Sequence, residues 1–172
     1  MKRYFIYIFS LSLFIGCYSS KKTINNQQIN TLKKAVEETG YTVISDELNP
    51  IGLINAKGVE NLLPRGSSLA GINLTDNPNY FKVQKDSVQL YLPYYGEQQM
   101  GGAYTSESGL TFKGIPDFVS KSFDSKKNKY EIKYRLNAEN ESLTANLTLY
   151  ANNSSIRTPI IYYGKWTVVE EE

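Results

Sequence analysis

The feature that most constrains the fold is the strict alternation over residues 129–136. Tyr130, Ile132, Tyr134 and Leu136 fall on one side of an extended chain, and Lys129, Glu131, Lys133 and Arg135 on the other. Successive side chains of a strand point to opposite faces, so this pattern predicts a strand with one dry face and one wet face. A helical period would scatter the same charges around the whole circumference. After a polar turn, Leu143, Ala145, Leu147 and Leu149 repeat the pattern.

The same reading places further strands at 41–45, 80–84, 88–92, 110–112, 118–123, 156–163 and 166–169. Lys85-Asp-Ser87 closes a hairpin between two of them, and Asn152-Asn-Ser-Ser155 makes a later turn. Residues 47–70 read as irregular, because Pro50, Gly52, Gly58, Pro64 and Gly66 interrupt any long element. A run of about eight or nine strands joined mostly by short turns predicts a mainly β fold, an antiparallel barrel or sandwich. The barrel is favoured, since closure removes the two vulnerable edges of an open sheet. One short helix is expected at 28–39, where Ile29, Leu32 and Val36 share a face and Gly40 stands as the C-cap.

The first residues follow a different logic. Lys2 and Arg3 precede an apolar run that ends at Gly16-Cys17. A basic start, a short apolar stretch and a small residue before the junction are the features of a secretory leader. A membrane-spanning helix needs about 20 apolar residues, and Lys21-Lys22 come too soon for one. Leu13-Phe-Ile-Gly-Cys17 resembles a lipobox, with Phe14 where Leu is usual. The expectation is a signal peptide over 1–16, lipid attachment at Cys17, a polar tether over 17–27 and one β-rich domain over 28–172. Two or three acyl chains, at about 0.8 kcal/mol per buried methylene, anchor a protein stably. No acidic run follows the cysteine, so the outer membrane facing the periplasm is the expected location.

Composition narrows the chemistry. The 172 residues include no histidine, and Cys17 is the one cysteine. That removes His/Cys zinc sites, Ser-His-Asp and Cys-His nucleophiles, and internal disulfides. No metal site and no cofactor are expected. Without Lys2 and Arg3 the 19 basic residues become 17, equal to the 17 acidic ones. A neutral domain lacks the counterion-release drive for nucleic acid, so that partner is set aside.

Three segments carry a family resemblance: Phe81-Lys-Val-Gln-Lys-Asp-Ser-Val-Gln-Leu-Tyr-Leu-Pro-Tyr-Tyr-Gly96, Gly109-Leu-Thr-Phe-Lys-Gly114 and Ile160-Ile-Tyr-Tyr-Gly164. Together they resemble the Bacteroidetes lipoprotein family known as domain of unknown function 4251, over roughly residues 32–169. The stretch around 53–69 is longer than the family pattern. The resemblance implies a lipocalin-like antiparallel barrel and an envelope location. It implies no activity, substrate or catalytic residue.

Functional expectations rest on the aromatics. The chain has 14 tyrosines and one tryptophan. Tyr94, Tyr95, Tyr104, Tyr162, Tyr163 and Trp166 lie near loop or strand ends, where rings meet sugars or apolar ligands. Tyrosine also packs well in strands, which is the commoner reason for its presence. The long stretch 93–109 contains Gly101 and Gly102 and has the length of a lid or of a plain connection. Glu97, Glu107 and Asp117 are the carboxylates nearest it, but their spacing predicts no acid/base pair, and catalysis is not expected. Asp86-Ser-Val matches a short acceptor pattern for O-glycosylation at Ser87, and Asp and Ser also serve as ordinary turn residues. The leading expectation is therefore a non-catalytic envelope binding module for a small apolar or glycan ligand. The alternative is a structural protein that docks on another envelope component. The lumen separates them: inward Tyr130, Tyr134 and Trp166 would fill a small barrel.

Overall fold

The computed structural model describes residues 25–49, 63–93, 109–137, 142–157 and 161–169. The leader, Cys17 and most of the tether lie outside that set. Helix α1 (Asn26–Lys34) opens with a capping box, in which the Asn25 side chain accepts from the Gln27 backbone and Gln28 reaches back to the Asn25 N–H. It starts two residues before the expected position. Its last turn, Ala35–Thr39, widens to π-helical spacing and ends at Gly40, whose φ of 96° only glycine adopts without strain. Leu32, Ala35 and Val36 form its buried stripe.

Among the described residues ten strands follow: β1 (Tyr41–Asn49), β2 (Ile72–Asn73), β3 (Tyr80–Gln84), β4 (Ser87–Pro93), β5 (Gly109–Gly114), β6 (Phe118–Asp124), β7 (Lys129–Asn137), β8 (Ser142–Tyr150), β9 (Ser154–Arg157) and β10 (Ile161–Val168). Every pairing is antiparallel, and the order is β5-β4-β3-β1-β10-β9-β8-β7-β6, with β2 added beside β1. The mainly antiparallel β fold is as expected from the alternation. Two details differ. The single strand expected at 156–163 is two strands, β9 and β10, which pair with each other. β1 also runs on to Asn49, into the stretch read as irregular.

The sheet curls as a half barrel. Its two end strands are β5 and β6, and among the described residues no ladder joins them. They are consecutive in the chain, so the gap between them is a seam. The opposite side of the sheet is held by β1, which pairs with β10 along its whole length. A bulge interrupts that register between Ser45 and Glu47, opposite Gly164. A Cβ on Gly164 would lie 1.9 Å from the Ile44 carbonyl oxygen, so only glycine lets the two backbones approach there. Buried Asn79 clamps the bulge, accepting from Ser45 N at 2.7 Å and donating to Ser45 O at 2.9 Å.

The concave side is filled. Tyr41, Phe81, Tyr134 and Tyr162 are all within 1% of complete burial. The Tyr41 and Tyr134 hydroxyls share a hydrogen bond of 2.9 Å, and Phe81 packs on Tyr134 with ring centroids 5.5 Å apart. Such ring pairs add about 1 kcal/mol beyond the area they bury. Trp166 is half-buried against the core, and its indole N–H donates to the Tyr150 carbonyl at 2.6 Å.

Candidate functional site

The hairpin β3–β4 closes through a two-residue turn, Lys85-Asp86, with Lys85 at a φ of 53°. Ser87 is the first residue of β4, and its hydroxyl donates to the Gln84 carbonyl at 3.0 Å. This turn sets the register of the whole face. Phe81 pairs with Leu90 on the buried side, and Tyr80 pairs with Tyr91 on the other side. On β5, Phe112 faces Leu90, while Thr111 stands opposite Tyr91. Tyr80, Tyr91 and Thr111 therefore form one row across three strands, and Lys113 follows two residues after Thr111 on the same face.

That row borders a hollow of about 500 Å³, lined by Tyr80, Leu90, Tyr91, Thr111, Phe112, Lys113 and Asn137. Asn137 is the last residue of β7, next to the far edge of the sheet. The hollow thus draws on both ends of the half barrel and lies in the seam. The Asn137 side-chain amide donates to the Asp117 carboxylate, and the Asp117 N–H donates to the Arg135 carbonyl at 3.0 Å. These contacts fix the β5–β6 connection against β7. Tyr91 leans towards β5: a Cβ on Gly109 would come within 3.1 Å of its ring.

The residues singled out from sequence fall differently. Cys17, Tyr94, Tyr95, Tyr104, Glu97 and Glu107 lie outside the described residues. Tyr162 is a core residue at 0% exposure, and its hydroxyl donates to the Pro93 carbonyl at 2.7 Å. Tyr163, its neighbour on β10, points the other way and is 42% exposed. Trp166 is committed to the Tyr150 carbonyl. The structure does not bring these three together. Among the described residues no group of three or more His, Cys, Asp or Glu side chains is placed to hold a metal, and no helix is long and apolar enough to cross a membrane.

The interior has its own electrostatics. Burial, and then Tyr134, holds the Tyr41 phenol well above its ordinary range. Burial raises Tyr134 as well, partly offset by its hydrogen bond with Tyr41. Tyr130 is pushed up to about 12, first by burial and then by the Glu37 carboxylate bonded to its hydroxyl. These phenols are neutral packing groups at neutral pH.

Tyr80, Tyr91 and Lys113 were missed by sequence reading, and the reason is one residue of turn length. Reading Lys85-Asp-Ser87 as a three-residue turn pairs Tyr80 with Leu92. The two-residue turn pairs it with Tyr91 and puts both rings on one face. The signal was present in the alternation of β4, where Val88, Leu90 and Leu92 are buried and Tyr91 is left on the opposite side.

Comparison with known proteins bears on the fold and the family. No curated protein matches the chain. A crystal structure of a DUF4251 family protein from Bacteroides eggerthii superposes with a TM-score of 0.54 at 13% identity, covering 83% of this chain and 88% of that one. At that identity the likeness concerns the fold alone. The family model for DUF4251, a domain of unknown function, matches residues 23–166. The chain belongs to the DUF4251 family.

Proposed function

We propose that this protein is a non-catalytic binding module of the bacterial envelope, tethered by lipid on Cys17 to the outer membrane and facing the periplasm. The observation that carries the binding part is the seam hollow of about 500 Å³, where Thr111, Lys113 and Asn137 add polar groups to the rings of Tyr80 and Tyr91. Small-ligand sites are commonly concave, of several hundred Å³, with a few polar groups among apolar ones. The site is not the lumen, because Tyr41, Tyr134 and Tyr162 occupy that space. The order of basic start, apolar run and Gly16-Cys17 supports the tether.

Two observations favour a second reading, docking on another envelope component. Tyr130 and Tyr134 are buried and help fill the lumen, as that reading expects, and an apolar patch is exposed at the seam. Ile115, Phe118 and Val119 are 73%, 43% and 40% exposed around the start of edge strand β6.

Native mass spectrometry of full-length protein released gently from its own membrane fraction tests both. A mass beyond the covalent lipid, lost on denaturation, is expected. A bare chain would overturn the ligand reading, and a stoichiometric protein partner lost in Phe118→Ser would favour docking. For the tether, Cys17→Ser is expected to abolish acylation and release the protein; full membrane retention with a normally processed leader would contradict it.

A further inference from the structure

We infer that the seam hollow is a subsite for a saccharide that carries an acid group, an assignment that rests on the binding-module reading above. Tyr80 and Tyr91 are directly opposed across β3 and β4, and Tyr80 is 40% exposed. A large ring kept in water beside a second ring is a platform for the C–H face of a sugar, which gains both dispersion and burial there. Thr111 continues the row on β5 and supplies a hydroxyl at the platform's edge. Asn137 supplies the second polar edge from across the seam. One of its two amide N–H groups goes to Asp117, and its carbonyl oxygen can accept from a sugar hydroxyl.

The charge of the lining selects among sugars. Among the described residues that line it, Lys113 is the one cation and none is a carboxylate; the Asp117 carboxylate is bonded to Asn137 at its edge. The ion pair formed among the described residues is Lys129–Glu131, so Lys113 has no carboxylate partner there. A wholly apolar occupant would strip water from the ammonium, the hydroxyl and the amide without replacing their bonds, which is costly. A neutral sugar would satisfy the hydroxyl and the amide and leave the exposed ammonium to water, gaining nothing from its charge. A carboxylate on the sugar ring meets all three requirements, with a charge-assisted bond to Lys113.

The test is calorimetric titration of the full-length chain in detergent with trigalacturonate and with neutral galactotriose. The uronate is expected to bind about fivefold or more tightly than the neutral sugar, a difference of about 1 kcal/mol. Lys113→Gln should erase that preference. Tyr91→Ala should weaken both sugars about tenfold, as loss of a ring at a binding centre does. Circular dichroism of each variant establishes that it is folded. Equal affinity for the two sugars, or unchanged binding in folded Tyr91→Ala, would overturn the assignment. Failure of both sugars to bind would overturn it too. In that case a retained adduct in the native mass spectrum leaves the binding-module reading standing with another ligand class, whereas a bare chain removes both.

Discussion

β7 and β6 lie side by side, joined by a tight turn, yet they live in different environments. β7 pairs on both edges, and its Tyr130, Ile132, Tyr134 and Leu136 are at most 5% exposed. Among the described residues β6 pairs on one edge, and its first five residues are all exposed. Both are seven to nine residues long, so length does not separate them. What separates them is the number of neighbours: a strand in the middle of a curled sheet has a core face, and a strand at the seam has little core to face.

The seam strand is managed with charge rather than closure. By register, Lys121 lies opposite Ile132, on the core side of β6. Its ammonium donates to the Val36 carbonyl at 2.6 Å, where the widened last turn of the helix offers carbonyl oxygens. Lys33 of the helix sits 4.5 Å from the Phe123 ring centre, and Phe123 packs on Tyr130 at 5.0 Å. The helix thus straps the inner side of the β6–β7 hairpin. An inward-pointing charge on an edge strand also discourages pairing with foreign chains.

The largest expected contrast between the two strands is in truncation. Tyr134→Ala removes a fully buried ring, its contact with Phe81 and the partner of the Tyr41 hydroxyl. A loss of about 3–5 kcal/mol is expected in chemical denaturation, against about 0.5 kcal/mol or less for Phe118→Ala on β6. Comparable losses would erase the distinction.

Alkaline pH should strike the packed side next. Tyr41, Tyr130 and Tyr134 have folded pKa values raised above 10.0. Above pH 10 the unfolded chain releases those protons while the folded chain keeps them. Their stabilisation is therefore whole below about pH 10 and is lost as pH rises towards 12 and beyond, at up to about 1.4 kcal/mol per pH unit for each phenol. Denaturation midpoints between pH 9 and 12 measure this, and a flat profile would contradict the burial of these hydroxyls.

The smallest effect on stability is expected at Lys121. Lys121→Met should cost about 1 kcal/mol or less, since it removes one partly exposed hydrogen bond. It should raise self-association measurably in sedimentation, because the edge loses its inward charge. A variant that stays monomeric would show that β6 is protected by something else.

This contrast also marks how far the sequence could be read. The alternation of residues 129–136 announced β7 and its buried side, because burial on one face leaves a period of two. β6 carries Phe118 and Val119 next to each other, and both are exposed, so its pattern contains no face to read. The expectation of closure came from the general hazard of sheet edges and did not anticipate the inward lysine that meets the same hazard locally. Tyr162 drew attention as an aromatic near a strand end, but nothing local tells that its neighbour Tyr163 takes the exposed side. That side is set by pairing with β1, where Tyr162 stands opposite buried Leu48, a tertiary feature. The seam hollow draws on four strands, and its row of Tyr80, Tyr91 and Thr111 appears only once the hairpin register is known.

Amide hydrogen exchange across β5, β6 and β7, read residue by residue by NMR, tests the open seam most directly. Strong protection is expected throughout β7 and an alternating pattern on β6, where the N–H groups turned towards β7 are slow and those turned to the seam exchange quickly. Uniform protection along both β5 and β6 would mean that the two strands pair, and that the sheet is a closed barrel with no seam to bind anything.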